Sequence, residues 1–207
     1  MDEKQLKNMW NYFLSLEQDL SNTSRYVEPQ GQENVYSFEF AKIIILACTE
    51  VEAAFKLLCK EIDENEYGDI GKYKGVILGK YPSIVEAEVN ISRLEKTAKP
   101  FEQWSTGPLS WWDDYCKIKH SRDSYFQNAT YNNAMLALSA LYILLLYLSK
   151  ITGAKIDDCE SNYISSEYAS VFIIAKADKH LPGLESGEPL GAMSVNEETL
   201  QFNIRPK

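Results

Sequence analysis

Apolar residues recur at helical spacing from the start of the chain. Leu6, Met9, Trp10, Phe13, Leu16 and Leu20 lie on one strip through residues 3–22, with Glu17 on the same strip and Leu14 beside it. The pattern predicts an amphipathic helix stopped by the Ser-Asn-Thr-Ser run at 21–24. Pro29 keeps Glu28 extended, and Gly31 and Asn34 continue the loop. A longer helix is predicted over 37–62. At helical steps Phe40, Ile43, Ala47, Ala54 and Leu58 form a narrow stripe, with Ile44 and Val51 at its edge. Glu39 and Glu50 fall on the opposite edge of that stripe, whereas Glu52 and Lys56 face outward. A carboxylate beside a core stripe is costly to bury unpaired. Each of the two either curls to water or meets a cation from another core helix, and the second reading puts Glu50 in reach of the 115–126 segment.

Residues 63–82 carry Gly68, Gly71, Gly75, Gly79 and Pro82. No strand precedes them and no Gly-Lys-Ser/Thr follows, so they fit a short helix between turns better than a phosphate cradle. Partial alternation over 84–91 leaves strand and helix both open, and 99–108 reads as irregular, with Phe101 and Trp104 covering a core edge. Ser110, followed by Asp113, is a capping-box-like start for a helix from Trp111. On that helix Tyr115, Lys119, Arg122 and Phe126 share one face, and Cys116, His120 and Asp123 a neighbouring one. Thr130 caps a further helix to about residue 150, with Gly153 past its end. Its apolar run over 134–148 falls short of the roughly 20 residues that cross a bilayer, so a buried core helix is expected and no membrane association. A helix apolar on nearly every side has more surface than one small bundle covers, and a homodimer is expected on that ground.

Beyond Gly153 the character changes. Residues 154–167 are polar, 171–175 form a brief apolar run, 181–194 are rich in Gly and Pro, and 199–205 alternate as a strand does. The division is a helical bundle over 1–156 and an acidic appendage over 157–207, the latter either a short β hairpin or a partly ordered tail. The net charge is −9, and residues 157–207 hold nine acids against four bases. Such a chain is a poor non-specific binder of nucleic acid, so no DNA partner is expected and RNA contact would be local. No Cys-x-x-Cys pair accompanies Cys48, Cys59, Cys116 and Cys159, and the only histidines are His120 and His180. No metal site and no cofactor is expected, and the thiols read as reduced and mostly buried. The charged, amphipathic start has no signal-peptide character, which favours the cytoplasm.

Two blocks carry a family resemblance. Tyr36-Ser37-x-Glu39-Phe40 leads into Ile-Leu-Ala-Cys-Thr-Glu50-Val-Glu52. Trp112-x-x-Tyr115-x-x-x-Lys119-His120-x-Arg122-x-x-x-Phe126 then precedes an Ala/Leu-rich helix. Over about 3–150 this order resembles HEPN-like proteins. The resemblance implies an all-α bundle of four to five helices, commonly dimeric, and for many members a metal-independent RNase of toxin–antitoxin or phage-defence systems. The chain departs from the usual Arg-x(4–6)-His signature: the positions upstream of His120 are Cys116, Tyr115, Asp114 and Asp113, and Arg122 follows the histidine. Metal-free RNA cleavage needs a base for the 2′-hydroxyl and a cation at the phosphate. In the catalytic reading His120 is general base or acid, Lys119 and Arg122 hold phosphate, Glu39 or Glu50 orients them, and Tyr115 and Asp123 support them. The alternative is a catalytically silent HEPN-like module that dimerises or engages a partner protein or nucleotide.

Overall fold

A computed structural model describes residues 1–153 except 64, 66, 67, 92, 93 and 95. The appendage at 157–207, with Cys159 and His180, lies outside the described residues. The order is α1 (Glu3–Thr23), α2 (Phe38–Asp63), α3 (Ile70–Lys80), β1 (Val89–Ile91), β2 (Lys96–Ala98), α4 (Ser110–Tyr125) and α5 (Tyr131–Thr152). The chain is mainly α, as its periodicity predicts. Short polar side chains start four of the helices by accepting from the backbone three residues on: Asp2 from Gln5 at 2.7 Å, Ser37 from Phe40 at 3.1 Å, Asp69 from Lys72 at 2.9 Å and Thr130 from Asn133 at 3.2 Å. Gly153 ends α5 at a φ of 68°, a left-handed conformation that favours glycine.

The predicted strip of α1 is buried in full, Glu17 included. Trp10 and Phe13 stack at 5.0 Å, and both meet Tyr142 of α5, at 5.8 and 5.5 Å. The stripe of α2 packs along α5 in the most extensive helix contact. A second aromatic focus surrounds Phe55: Tyr73 of α3 and Trp104 each lie 5.5 Å away, Trp112 of α4 at 5.9 Å and Phe101 at 6.1 Å. Such pairs contribute about 0.5–1.5 kcal/mol each beyond the area they bury, and here they hold α3 and α4 against the Phe55 side of α2.

Three expectations take a different form. The undecided 84–91 stretch splits into a 3-10 turn, Pro82–Glu86, and strand β1. β1 pairs antiparallel with β2 in the register Val89 to Ala98, Asn90 to Thr97 and Ile91 to Lys96. Ser110 does not cap α4. Leu109 holds the cap position without a side-chain bond, and Gln103 Oε1 accepts from Ser110 N–H at 2.7 Å. The buried anchors Leu109 and Trp111 set where this helix begins, and the capping side chain arrives from the preceding turn.

The third concerns α5. It is 22 residues long and by length and composition could cross a membrane, but 72% of its most apolar window is buried inside the protein. Residues on all its sides, including Ala134, Leu138, Leu141, Ile143, Leu144 and Tyr147, are covered by the chain itself.

Candidate functional site

The first half of α4 is held rigidly. Trp111, Trp112, Tyr115 and Ile118 are buried, and Trp111 Nε1 donates to the Pro100 carbonyl at 2.8 Å. At Ser121 the backbone leaves the helix (φ −149°, ψ 49°), so two helical pieces meet at a kink. A 3-10 turn, Phe126–Asn128, then carries the chain to α5. Asp114 fastens the link. Its Oδ1 accepts from Asn128 Nδ2 at 2.6 Å and Lys117 Nζ at 3.0 Å, and its Oδ2 accepts from Asn133 Nδ2 at 3.0 Å. Asn133 Nδ2 also donates to the Asn128 carbonyl at 2.9 Å.

The kink falls inside the predicted constellation. Tyr115 and Lys119 do meet: Lys119 Nζ donates to the Tyr115 hydroxyl at 3.1 Å and sits 5.4 Å from the ring centroid. That hydrogen bond raises the Lys119 pKa above its ordinary value. Arg122 and Asp123 lie beyond Ser121 and no longer continue the faces of Tyr115 and Cys116. His120, Arg122 and Asp123 are exposed, and none makes a hydrogen bond or ion pair with the described residues.

Neither predicted glutamate reaches α4. Glu39 pairs with Lys42 on its own helix, and Lys42 also meets Asp19 of α1 at 3.1 Å. Glu61, on the same edge of α2 as Glu50, binds the Met1 ammonium at 2.7 Å. The edge that carries Glu50 thus faces α1, because Lys42 and Glu61 on either side of it are both tied there. Glu50 is half-buried without a partner among the described residues, and burial alone pushes its carboxyl above the usual range. The α2 carboxylate that senses α4 is Glu52. It pairs with Lys56 at 2.9 Å and interacts electrostatically with Lys119 and Cys116. The helical wheel shows one core stripe, but α2 buries a second one, Cys48, Phe55 and Cys59, against α3 and α4. Glu52 stands at its margin. Burial raises the Cys48 thiol well above its ordinary pKa and Cys59 to about 11, so neither is a nucleophile at neutral pH.

The feature the sequence reading missed is aromatic. Phe38 is 73% exposed and Tyr36 51%, and both lean on Phe126, with ring centroids 4.5 and 5.4 Å away. The available signal was spacing: Phe38 lies two positions from Phe40, on the opposite side of the helix from the buried stripe. Segment 33–37 is held against the start of α5 by backbone bonds from Tyr131 N–H to the Val35 carbonyl (2.9 Å), Asn132 N–H to Glu33 (3.0 Å) and Ser37 N–H to Ala129 (3.2 Å). Tyr36 also borders an open depression of about 390 Å³ lined by Gly31, Gln32, Asn34 and Val35. The side-chain amides of Gln32 and Asn34 make no hydrogen bond to the described residues. Among the described residues no three His, Cys, Asp or Glu side chains converge as a metal site does. No family model matches the chain, and no curated protein or solved structure does either.

Proposed function

We propose that this HEPN-like chain is a catalytically silent binding module that engages a partner protein. The observation that carries the reading is the break in the helix at Ser121, between Lys119-His120 and Arg122 in the chain. General acid–base catalysis needs a positioned base, oriented by a third group and facing a cation at the phosphate. His120 has no orienting partner among the described residues, Lys119 is engaged by Tyr115, Glu39 pairs with Lys42, and Glu50 has no cation partner among the described residues. The aromatic face at Tyr36, Phe38 and Phe126 supplies a contact surface in place of a reacting centre.

Incubation of labelled single-stranded RNA with wild type and His120→Ala tests this, with folding followed by circular dichroism. No cleavage by either protein is the expected result. The solvent exposure of His120 and Arg122, neither of which bonds to another of the described residues, favours a second reading: a metal-independent RNase effector of a defence or toxin–antitoxin system. Cleavage that persists in a chelator and falls about a hundredfold or more in a folded His120→Ala protein would establish that reading and overturn the first.

A further inference from the structure

The exposed aromatic face and the depression beside it form one surface through Tyr36, which belongs to both. Its two parts differ in chemistry. One offers the exposed rings of Phe38 and Tyr36, backed by Phe126, and the edge-on contact of Tyr36 and the tilted contact of Phe38 with Phe126 hold the three rings together before anything binds. The other offers the uncommitted amides of Gln32 and Asn34, each a donor and an acceptor in one group, which is the pairing a peptide bond requires.

Area and charge select the occupant. At 150–250 Å² for a whole aromatic residue, the exposed parts of Phe38 and Tyr36 come to roughly 250 Å². That is far below the roughly 800 Å² per partner of a stable protein–protein interface, so a second copy of the chain would be held poorly. It suits one or two anchoring side chains of an extended segment. The two stretches that build the surface, 28–42 and 122–128, hold Glu28, Glu33, Glu39 and Asp123 against Lys42 and Arg122; with the ion-pair partners Asp19, on Lys42, and Lys96, on Glu33, five acids stand against three bases. On a chain of net charge −9 this excess of acid repels a polyphosphate and attracts a cationic partner.

We propose that the face formed by Tyr36, Phe38 and Phe126, with Gln32 and Asn34 beside it, binds a short extended peptide of a partner protein whose apolar or aromatic anchors are flanked by Lys or Arg. The anchors cover Phe38 and Tyr36, one side entering the depression. The amides pair with the peptide backbone, and the acids set the preference for basic flanks. The inference rests on the binding-module reading and names its partner's chemistry.

The test is selection from a random peptide library displayed on phage, with the full-length protein as bait. The selected sequence is then made as a labelled synthetic peptide and titrated by fluorescence anisotropy. A consensus of bulky apolar residues next to Lys or Arg is expected, with a Kd that rises with salt. Phe38→Ser should weaken binding about tenfold or more and Asn34→Ala severalfold, whereas Tyr12→Ser, at an exposed aromatic on α1, should leave it unchanged. Phe38 is exposed enough for its substitution to spare the core, and Tyr36→Ser gives an independent second variant. Four results overturn the proposal: no consensus, an acidic consensus, binding unaffected by both aromatic variants, or a single-stranded RNA or a second copy of the chain that binds wild type and is lost in Phe38→Ser. RNA cleavage is read separately, so failure here leaves the silent-module reading standing, and cleavage there does not alter the peptide titration.

Discussion

The Asp114 carboxylate joins α4, the turn after it and the first turn of α5, and its removal gives the most direct test of this architecture. Asp114→Ala deprives Asn128 Nδ2, Asn133 Nδ2 and Lys117 Nζ of their acceptor at once. Lys117 is solvent-exposed and its ion pair contributes little. The two amide bonds differ, because they reach a charged acceptor from part-buried positions, and Asn133 is only 8% exposed. At about 1.5 kcal/mol each, the loss is about 3 kcal/mol. Asn133 keeps its bond to the Asn128 carbonyl, which limits the cost of stranding its amide. For a chain of this length 1 kcal/mol moves Tm by about 2–4 °C, so Asp114→Ala should melt about 6–12 °C lower. Lys117→Ala should fall by less than about 2 °C. Urea unfolding of Asp114→Ala, Asn133→Ala and the double variant should give a coupling of about 1–2 kcal/mol with an unchanged m-value. A Tm drop below about 2 °C, or strict additivity of the pair, would refute the claim that this cluster fixes the link.

Two further substitutions should stabilise the protein. Burial holds the Glu50 carboxyl above its usual range, so its charged form is disfavoured by folding. The penalty is absent below the unfolded value near 4.3 and complete above the raised folded value. Glu50→Gln should therefore gain a few tenths of a kcal/mol at neutral pH, discounted for the part exposure of the side chain, and nothing near pH 3. A lower Tm at pH 7 would mean that Glu50 has an ionic partner after all. Ser139 is fully buried on α5, and its hydroxyl has no hydrogen-bond partner among the described residues. Ser139→Ala should gain about 1 kcal/mol, read as a rise in Tm; a fall would show that the hydroxyl is satisfied in solution.

Periodicity alone determines the helices and most of the core. The spacing of Leu6 to Leu20 and of Phe40 to Leu58 names residues that are all buried, because a helix with one apolar stripe has one way to leave water. Thr130 and Gly153 bound α5 as read, since a cap is a local contact of three or four residues. Tertiary packing decided the rest. That α2 buries a second face depends on where Tyr73, Trp104 and Trp112 arrive, and that arrival brings Glu52, rather than Glu50, into electrostatic range of Lys119 on α4. The break at Ser121 has no Pro or Gly to announce it. It accompanies the anchoring of Trp111 and Trp112 before it and the tether of Asn128 to Asp114 after it. A helical wheel drawn through 115–126 places Lys119 and Arg122 on one face, but a single wheel does not run across the break. The aromatic face likewise comes from two segments far apart in sequence, joined by the backbone bonds of 33–37 to the start of α5. Each ring is visible in the sequence, but their meeting depends on the long-range contacts that bring the segments together.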